Sequence, residues 1–447
     1  MFYRKLYQHL LLWMNKQDRK PLIIRGARQV GKSTLVHGFA REFRYFISLN
    51  LETEKDKSLF EKLDDIKDVK EAIFLRAGIP DKNDPVLIFL DEIQESPKAI
   101  KLLRYFYEQY PGLHIIAAGS LLEFALKDVP SFPVGRVEQV VLHPFDFEEF
   151  LLALNRKDIV DELDNIPVRK SAHDLILNMF NDYAITGGMP EVVKRYAEER
   201  SFINLGEIYA NLWQSYRDDA EKYASNPTER KIIRHIIDSA PFEKERISFA
   251  GFGNANYRSR EVGEALRALD MARIIQLIYP ATNLDPPPIP NMSRKPRLQF
   301  LDTGLLNYSI GHQDDMIGIY DLNDFYRGRI IQHLSIQQIQ AQDKSVLYRP
   351  VFWVREKANS NAEVDVLYQY NKYLIPVEIK AGSHGTLRSL HQFVERSGHR
   401  YGIRLLANNF YVEKVKTPGG VPYTLMNMPY YASTRMEQYV KMLIDNY

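Results

Sequence analysis

The apolar positions of the first 143 residues fall into short runs separated by amphipathic stretches. Residues 21–25 (PLIIR), 45–51 (YFISLNL), 86–90 (VLIFL), 113–120 (LHIIAAGS) and 137–142 (VEQVVL) predict strands, and VLIFL has no polar interruption, as a strand buried on both faces requires. Between them, residues 33–43, 57–77 and 96–110 place apolar residues at helical spacing. Five short strands alternating with helices predict an α/β fold, a parallel sheet with helices on both faces.

Beyond residue 143 the pattern changes. Residues 146–154 (DFEEFLLAL), 173–185 and 191–199 predict helices, with Gly187 and Gly188 closing one and Pro190 opening the next. In residues 227–280 two helices, the second starting near Ser259, lead into a β-like tail from Ile274, which suggests a winged helix. Arg258, Arg260 and Arg267 offer phosphate contacts there, while Glu261 and Glu264 on the same helix favour a packing role. Residues 283–297 (NLDPPPIPNMSRKPR) read as a proline-stiffened connector. Residues 351–357 (VFWVREK), 363–368 (EVDVLY) and 374–380 (LIPVEIK) predict three further strands, and 386–396 another helix.

Composition narrows this picture only a little. With 447 residues and 45% hydrophobic content the chain can bury several cores. Its 59 basic and 57 acidic side chains nearly cancel, so a nucleic-acid partner would have to be gripped locally. No cysteine is present, which excludes disulfides, thiolate zinc sites and cysteine nucleophiles. The opening twenty residues read as an amphipathic helix and not a signal peptide, and no apolar stretch is long enough to span a membrane. A soluble, cytoplasmic protein is the expectation.

The candidate chemistry begins where the first strand ends. Gly26, Gly31, Lys32 and Ser33 complete G-x-x-x-x-G-K-[ST], a loop that turns tightly and aims helix N–H groups at an anion. Lys32 is expected on the β and γ phosphates and the Ser33 hydroxyl on Mg²⁺, with Thr34 beside it in the binding segment. The third strand ends in Asp91 and Glu92, at the carboxyl edge where open α/β sheets bind ligands. Asp91 is expected to support Mg²⁺ and Glu92 to polarise the attacking water. Ser120 would face the phosphates if its strand neighbours that of Asp91.

The set GARQVGKST, LIFLDEIQ, AAGS and GRVEQVVLHPFDFEEF, continued by GGMPEVV and LQFLDTGLL, resembles bacterial and archaeal AAA-type ATPases that carry a C-terminal domain of unknown function. The resemblance implies ATP as the nucleotide, a sensor-like role for Ser120 where Asn is usual in the wider class, and a helical lid over residues 144–214. Arg136 becomes a candidate for stabilising transition-state charge, in cis or on a neighbouring subunit, with the alternative of a surface arginine at a turn. The implied domains are 1–143 for the ATPase core, 144–214 for the lid, 215–297 for the winged-helix-like region with its connector, and 298–447 for a mixed α/β domain.

That last domain holds a second constellation. Asp365 interrupts one apolar strand, and Glu378 and Lys380 lie two apart on the next, hence on one sheet face. This resembles the D…E-x-K core of restriction-endonuclease-like folds, in which two carboxylates, here Asp365 and Glu378, hold Mg²⁺ and the lysine orients the attacking water. The Ala381-Gly382-Ser383 beyond it matches how such a fold continues. Gln332 stands where the resembled domain has an acid, and a neutral amide holds a hard cation more weakly. Two readings are open. The first is Mg²⁺-dependent ATP hydrolysis coupled to DNA or RNA binding or processing; the second is an ATP-controlled protein whose nuclease-like domain docks a partner without cutting. Neither fixes an oligomeric state.

Overall fold

The computed structural model describes residues 2–80, 85–120, 122, 132–222, 224, 226–243, 245–311, 324–355, 362–380 and 386–447, with backbone alone for 324–327. Two compact units emerge: Met1–His143 with Met271–Arg273 and Lys344–Leu347, and Pro144–Asp270 with Ile274–Asp343 and Tyr348–Tyr447.

In the first unit β1 (Leu22–Arg25), β2 (Tyr45–Asn50), β3 (Val86–Asp91), β4 (His114–Gly119) and β5 (Glu138–Val141) form one sheet in the order β2-β3-β4-β1-β5. Every pairing is parallel. Parallel strands need crossovers, and the helices that supply them cover strands that are apolar up to the terminal Arg25 of β1 and Asp91 of β3. Ile88, Leu90, Ile100, Leu103 and Phe106 belong to one buried cluster, each at 1% exposure or less. Burying a side chain of this size contributes roughly 1.5–3 kcal/mol, so Phe106→Ala, which adds a cavity, is expected to cost about 3–5 kcal/mol. The strand order sets the carboxyl ends of β3, β4 and β1 side by side. At the β5 edge, the Val141 N–H donates to the carbonyl of Lys344 at 3.1 Å.

Residues 57–77, expected as one helix, form two: Glu54–Glu61 and Ile66–Ala77. Asp65 has extended backbone and its side chain accepts from the Lys67 N–H at 2.7 Å, a cap that starts a new helix instead of continuing the old one. The helix Pro97–Gln109 begins as its sequence predicts, with Ser96 accepting from the Ala99 N–H and Pro97 in the first turn.

The second unit joins three segments that the sequence had set apart. The helix Pro227–Ser239, the helix Ser259–Met271 and the antiparallel pair β6 (Ile275–Ile278) and β8 (Arg297–Phe300) succeed one another, with β7 (Pro280–Ala281) after β6. Arg297 pairs with Ile278, so the proline-rich stretch is the loop inside a strand pair, and the expected boundary between 297 and 298 cuts through β8. The helices of 144–214 likewise find partners far downstream. The Phe147 N–H donates to Gln338 Oε1 at 2.9 Å, and His173 meets Tyr431 Oη at 3.1 Å and the Ala407 carbonyl at 2.9 Å.

Gly187-Gly188 and Asp302, one in each of two distant sequence patches, form a single buried joint. Asp302 accepts from the Gly188 N–H at 2.5 Å and caps the helix Thr303–Ser309 through the Leu305 N–H at 3.1 Å. A β carbon on Gly187, whose φ is +64°, would lie 2.2 Å from Asp302 Oδ1. The glycines therefore make room for a buried carboxylate as well as ending a helix.

Further on, β11 (Val366–Tyr370), β12 (Tyr373–Ile379), β13 (Tyr401–Leu406), β14 (Tyr411–Lys416) and β15 (Pro422–Pro429) build a mixed sheet in the order β11-β12-β13-β15-β14. A smaller sheet orders β10 (Glu363–Val364), β9 (Phe352–Val354) and β7. The strand expected over 363–368 is thus two, and Asp365 is the residue at which the chain passes from one sheet to the other. The expected helix after the third strand forms over Arg388–Ser397, whereas Ala381-Gly382-Ser383 lies outside the described residues.

Candidate functional site

The loop after β1 is shaped by residues that no side chain could replace cheaply. Gly26 has φ +152°, and a β carbon there would lie 2.4 Å from the Leu142 carbonyl oxygen. Gly31 sits at φ +93° and caps the helix Lys32–Phe39. Its left-handed backbone releases the first N–H groups of that helix toward the loop. Lys32, 6% exposed, donates to the carbonyls of Gly26 at 3.1 Å and Ala27 at 2.9 Å. Burial pushes its ammonium down to about 8; Glu92 and Asp91 act in the opposite sense, and Arg28 and Arg273 add to the fall. Thr34, next along, is exposed.

The strand order brings the acids to this loop. Ser33 Oγ donates to Asp91 Oδ2 at 2.7 Å. Burial raises the Asp91 carboxyl above its ordinary range against the lowering by this hydroxyl. Glu92 turns out of β3 at φ +49°. Its Oε2 accepts from Gln94 Nε2 at 2.7 Å and lies 3.4 Å from the Ser120 N–H and 3.5 Å from Ser120 Oγ. Lys32, Ser33, Asp91, Glu92 and Ser120 are therefore one cluster. A hydroxyl beside a carboxylate at the head of an anion-binding loop is a fitting donor set for Mg²⁺ carried in with a phosphate ligand.

Arg136 is not brought there. It precedes β5, whose first residue Glu138 is level with Leu22 at the start of β1, whereas Gly26 lies just past the far end. Arg136 Nε instead pairs with Glu108 at 2.9 Å, with Arg104 on the same carboxylate at 3.0 Å. A role in cis at the loop is corrected by this placement on the opposite edge of the sheet.

Three contributors escaped the sequence pattern. Gln94 holds Glu92, and a β carbon on Gly119 would lie 2.2 Å from Gln94 Oε1, so the small residue before Ser120 is what admits that amide. Arg4 donates to the Val30 carbonyl at 2.7 Å and to that of His143 at 2.5 Å, bracing the loop from the amino-terminal segment. Arg273 acts on Lys32 from the short 271–273 segment of the same unit. Only the glutamine stands near a motif that could have flagged it.

The second constellation also assembles, with different neighbours. Asp365 Oδ1 accepts from Gln332 Nε2 at 2.6 Å and Oδ2 from the Ile379 N–H at 2.8 Å. Arg297 lies at 3.4 Å from Oδ1 and also pairs with Glu363. Glu378, 4% exposed, pairs with Lys380 at 2.5 Å, while its Oε2 is buried with no hydrogen-bond partner. Burial first and the Asp365 charge second push Glu378 up to about 7, with Lys380 pulling the other way. Near neutral pH a proton on that carboxyl removes a buried charge. Among the described residues no group of three or more His, Asp or Glu is arranged to hold a metal ion. No helix among them is long and apolar enough to cross a membrane.

A family model described as an AAA domain matches residues 18–151. Two described as domains of unknown function, DUF8612 and DUF4143, match 177–315 and 327–421. Residues 18–151 are thus an ATPase-like AAA domain. No curated protein matches the sequence. Among solved structures, the chain is similar to a Walker-type ATPase of Pyrococcus abyssi at 16% identity, over 69% of this chain and 96% of that one, with a TM-score of 0.47. It is also similar to the Aeropyrum pernix ORC1 protein in complex with DNA (14%, 70% and 92%, TM-score 0.29). A third similar structure is Aquifex aeolicus DnaA bound to AMPPCP (14%, 60% and 87%, TM-score 0.28). Likenesses of this degree add nothing to what the geometry states.

Proposed function

We propose that the chain is a Mg²⁺-dependent ATPase whose cycle of binding and hydrolysis controls its C-terminal unit. The observation that carries this is the Ser33 hydroxyl 2.7 Å from Asp91, with Lys32 in the same loop and Glu92 turned toward Ser120. The loop N–H groups and Lys32 would bind the phosphates and offset the charge that builds on them in the transition state. Ser33 and Asp91 would hold the Mg²⁺, which when bound neutralises phosphate oxygens. Glu92 would take the proton of the attacking water as its oxygen bonds to the γ phosphorus and the bond to the β–γ bridging oxygen breaks. Ser120 would position that glutamate. Adenine over guanine rests on the family resemblance, as does a cytoplasmic location. Arg136 keeps one role, action in trans on a neighbouring copy. Purified chain with Mg²⁺-ATP should release phosphate and the Lys32→Ala variant should not; absence of both binding and turnover in the wild type overturns the proposal.

For the C-terminal unit the nuclease-like pattern and the winged-helix-like region support a nucleic-acid partner, and two roles compete. Cutting would use Asp365, Glu378 and Lys380; docking of DNA, RNA or a protein would use the same fold without catalysis. The hydrogen bond from Gln332 to Asp365 favours docking, because it occupies a carboxylate oxygen that a metal would need.

A further inference from the structure

Arg297 opens β8 and is set by that strand's pairing with β6. Its guanidinium pairs with Glu363, lies 3.4 and 3.5 Å from Oδ1 of Asp365 through its two terminal nitrogens, and sits 4.6 Å from the centre of the Phe352 ring. One side chain thus satisfies two carboxylates and an aromatic face. Around it each acid already has a basic partner. Glu363, Asp365 and Glu378 supply three acids, and Arg246 (3.0 Å from Glu363), Arg297 and Lys380 supply three bases.

A divalent ion here would meet carboxylates that are already paired with bases. It would face the Arg297 cation at short range, and Asp365 could offer it only oxygens engaged by Gln332, Arg297 and the Ile379 N–H. Mg²⁺ and Mn²⁺ take six oxygens or so, mostly from carboxylates and water, and a site presenting a guanidinium and an amide in their place does not fit them.

We propose that Arg297 is a built-in cation at Asp365, held there by Glu363 and Phe352, so that Asp365 is neutralised by the protein itself and the centre takes no divalent ion. This rests on the docking reading of the C-terminal unit and supplies its physical cause.

The test is a Mn²⁺ titration of the full chain without nucleotide, monitored by electron paramagnetic resonance, with Asp365→Asn to identify which binding belongs to this centre. Wild type should show no Asp365-dependent Mn²⁺ up to about 1 mM, the range of weak protein sites. The double variant Arg297→Met, Gln332→Glu should gain one Mn²⁺ per chain, at least about tenfold tighter, and lose it again when Asp365→Asn is added. Asp365-dependent Mn²⁺ in the wild type overturns the proposal, and so does a folded double variant that gains none. Where circular dichroism shows that the double variant does not fold, Arg297→Gln, which keeps a polar head and removes the charge, is read the same way. Nucleic-acid cleavage that vanishes in Asp365→Asn counts against the docking reading; the Mn²⁺ titration needs no substrate and counts for or against Arg297.

Discussion

Both centres of this chain combine two carboxylates with a lysine, yet they are finished in opposite ways. At the P-loop the lysine rests on backbone carbonyls of its own loop, and the glycines leave helix N–H groups facing outward. A phosphate arriving there replaces weak, local partners. At Asp365 the carboxylate oxygens are already held by an arginine, an amide and a backbone N–H. The same residue types therefore give an open anion site in one place and a closed, self-neutralised one in the other. What decides between them is whether the partners are backbone groups that can yield or side chains that bring their own charge.

Parallel substitutions put the largest strain on this contrast. Glu92→Gln should lower ATP turnover by about 10²-fold or more while nucleotide affinity stays within about twofold, since only proton acceptance is lost. Glu378→Gln should leave turnover within about twofold. Phosphate-release kinetics on both variants reads this directly, and a comparable loss in Glu378→Gln breaks the separation of the two centres.

A smaller effect separates them by pH. Lys32 is depressed to about 8 in the free protein, so raising the pH through 8 removes the cation that meets the phosphates. ATP affinity should then fall, by up to about tenfold at one unit above that value, where about a tenth of the lysines keep a proton. Calorimetric titration across this range should show the decline in wild type and a flat profile in Lys32→Met.

The smallest expected effect belongs to the other centre. Glu378 is raised to about 7 from 4.5, so between these values the native state holds a proton that the unfolded chain has released. Stability is then greatest below pH 4.5 as far as this group is concerned, and is lost as pH rises toward 7. Melting temperatures of wild type should decline relative to those of Glu378→Gln over that window, by a few degrees; parallel curves would place the strain elsewhere.

Much of the first unit was legible because its signals are local. The loop glycines, the apolar strands and the acids at the end of β3 each declare themselves within a few residues, and the sheet order then brings Ser120 to Glu92. Arg136 was misjudged although its place before β5 already sets it at the amino end of a parallel strand, away from the carboxyl ends where the loop and the acids meet. The second unit was legible in its elements and not in its joints. The partners of Gly188, Phe147 and His173 are Asp302, Gln338 and Tyr431, and no periodicity connects them. Arg297 was concealed most fully, because a basic residue at the end of a proline-rich run reads as solvent-exposed connector until β8 is known to pair with β6.

The hydrogen bond from Val141 to Lys344 has a consequence for how the protein is made. β5 is an edge strand, and its partner carbonyl is translated about two hundred residues later, with the 271–273 segment and Arg273 also downstream. A ribosome that has released only the AAA domain has released a sheet with an open edge, the kind of surface that pairs with the wrong chain. The first unit is therefore completed late in synthesis, and a fragment ending at residue 143 is expected to be less soluble than the full chain.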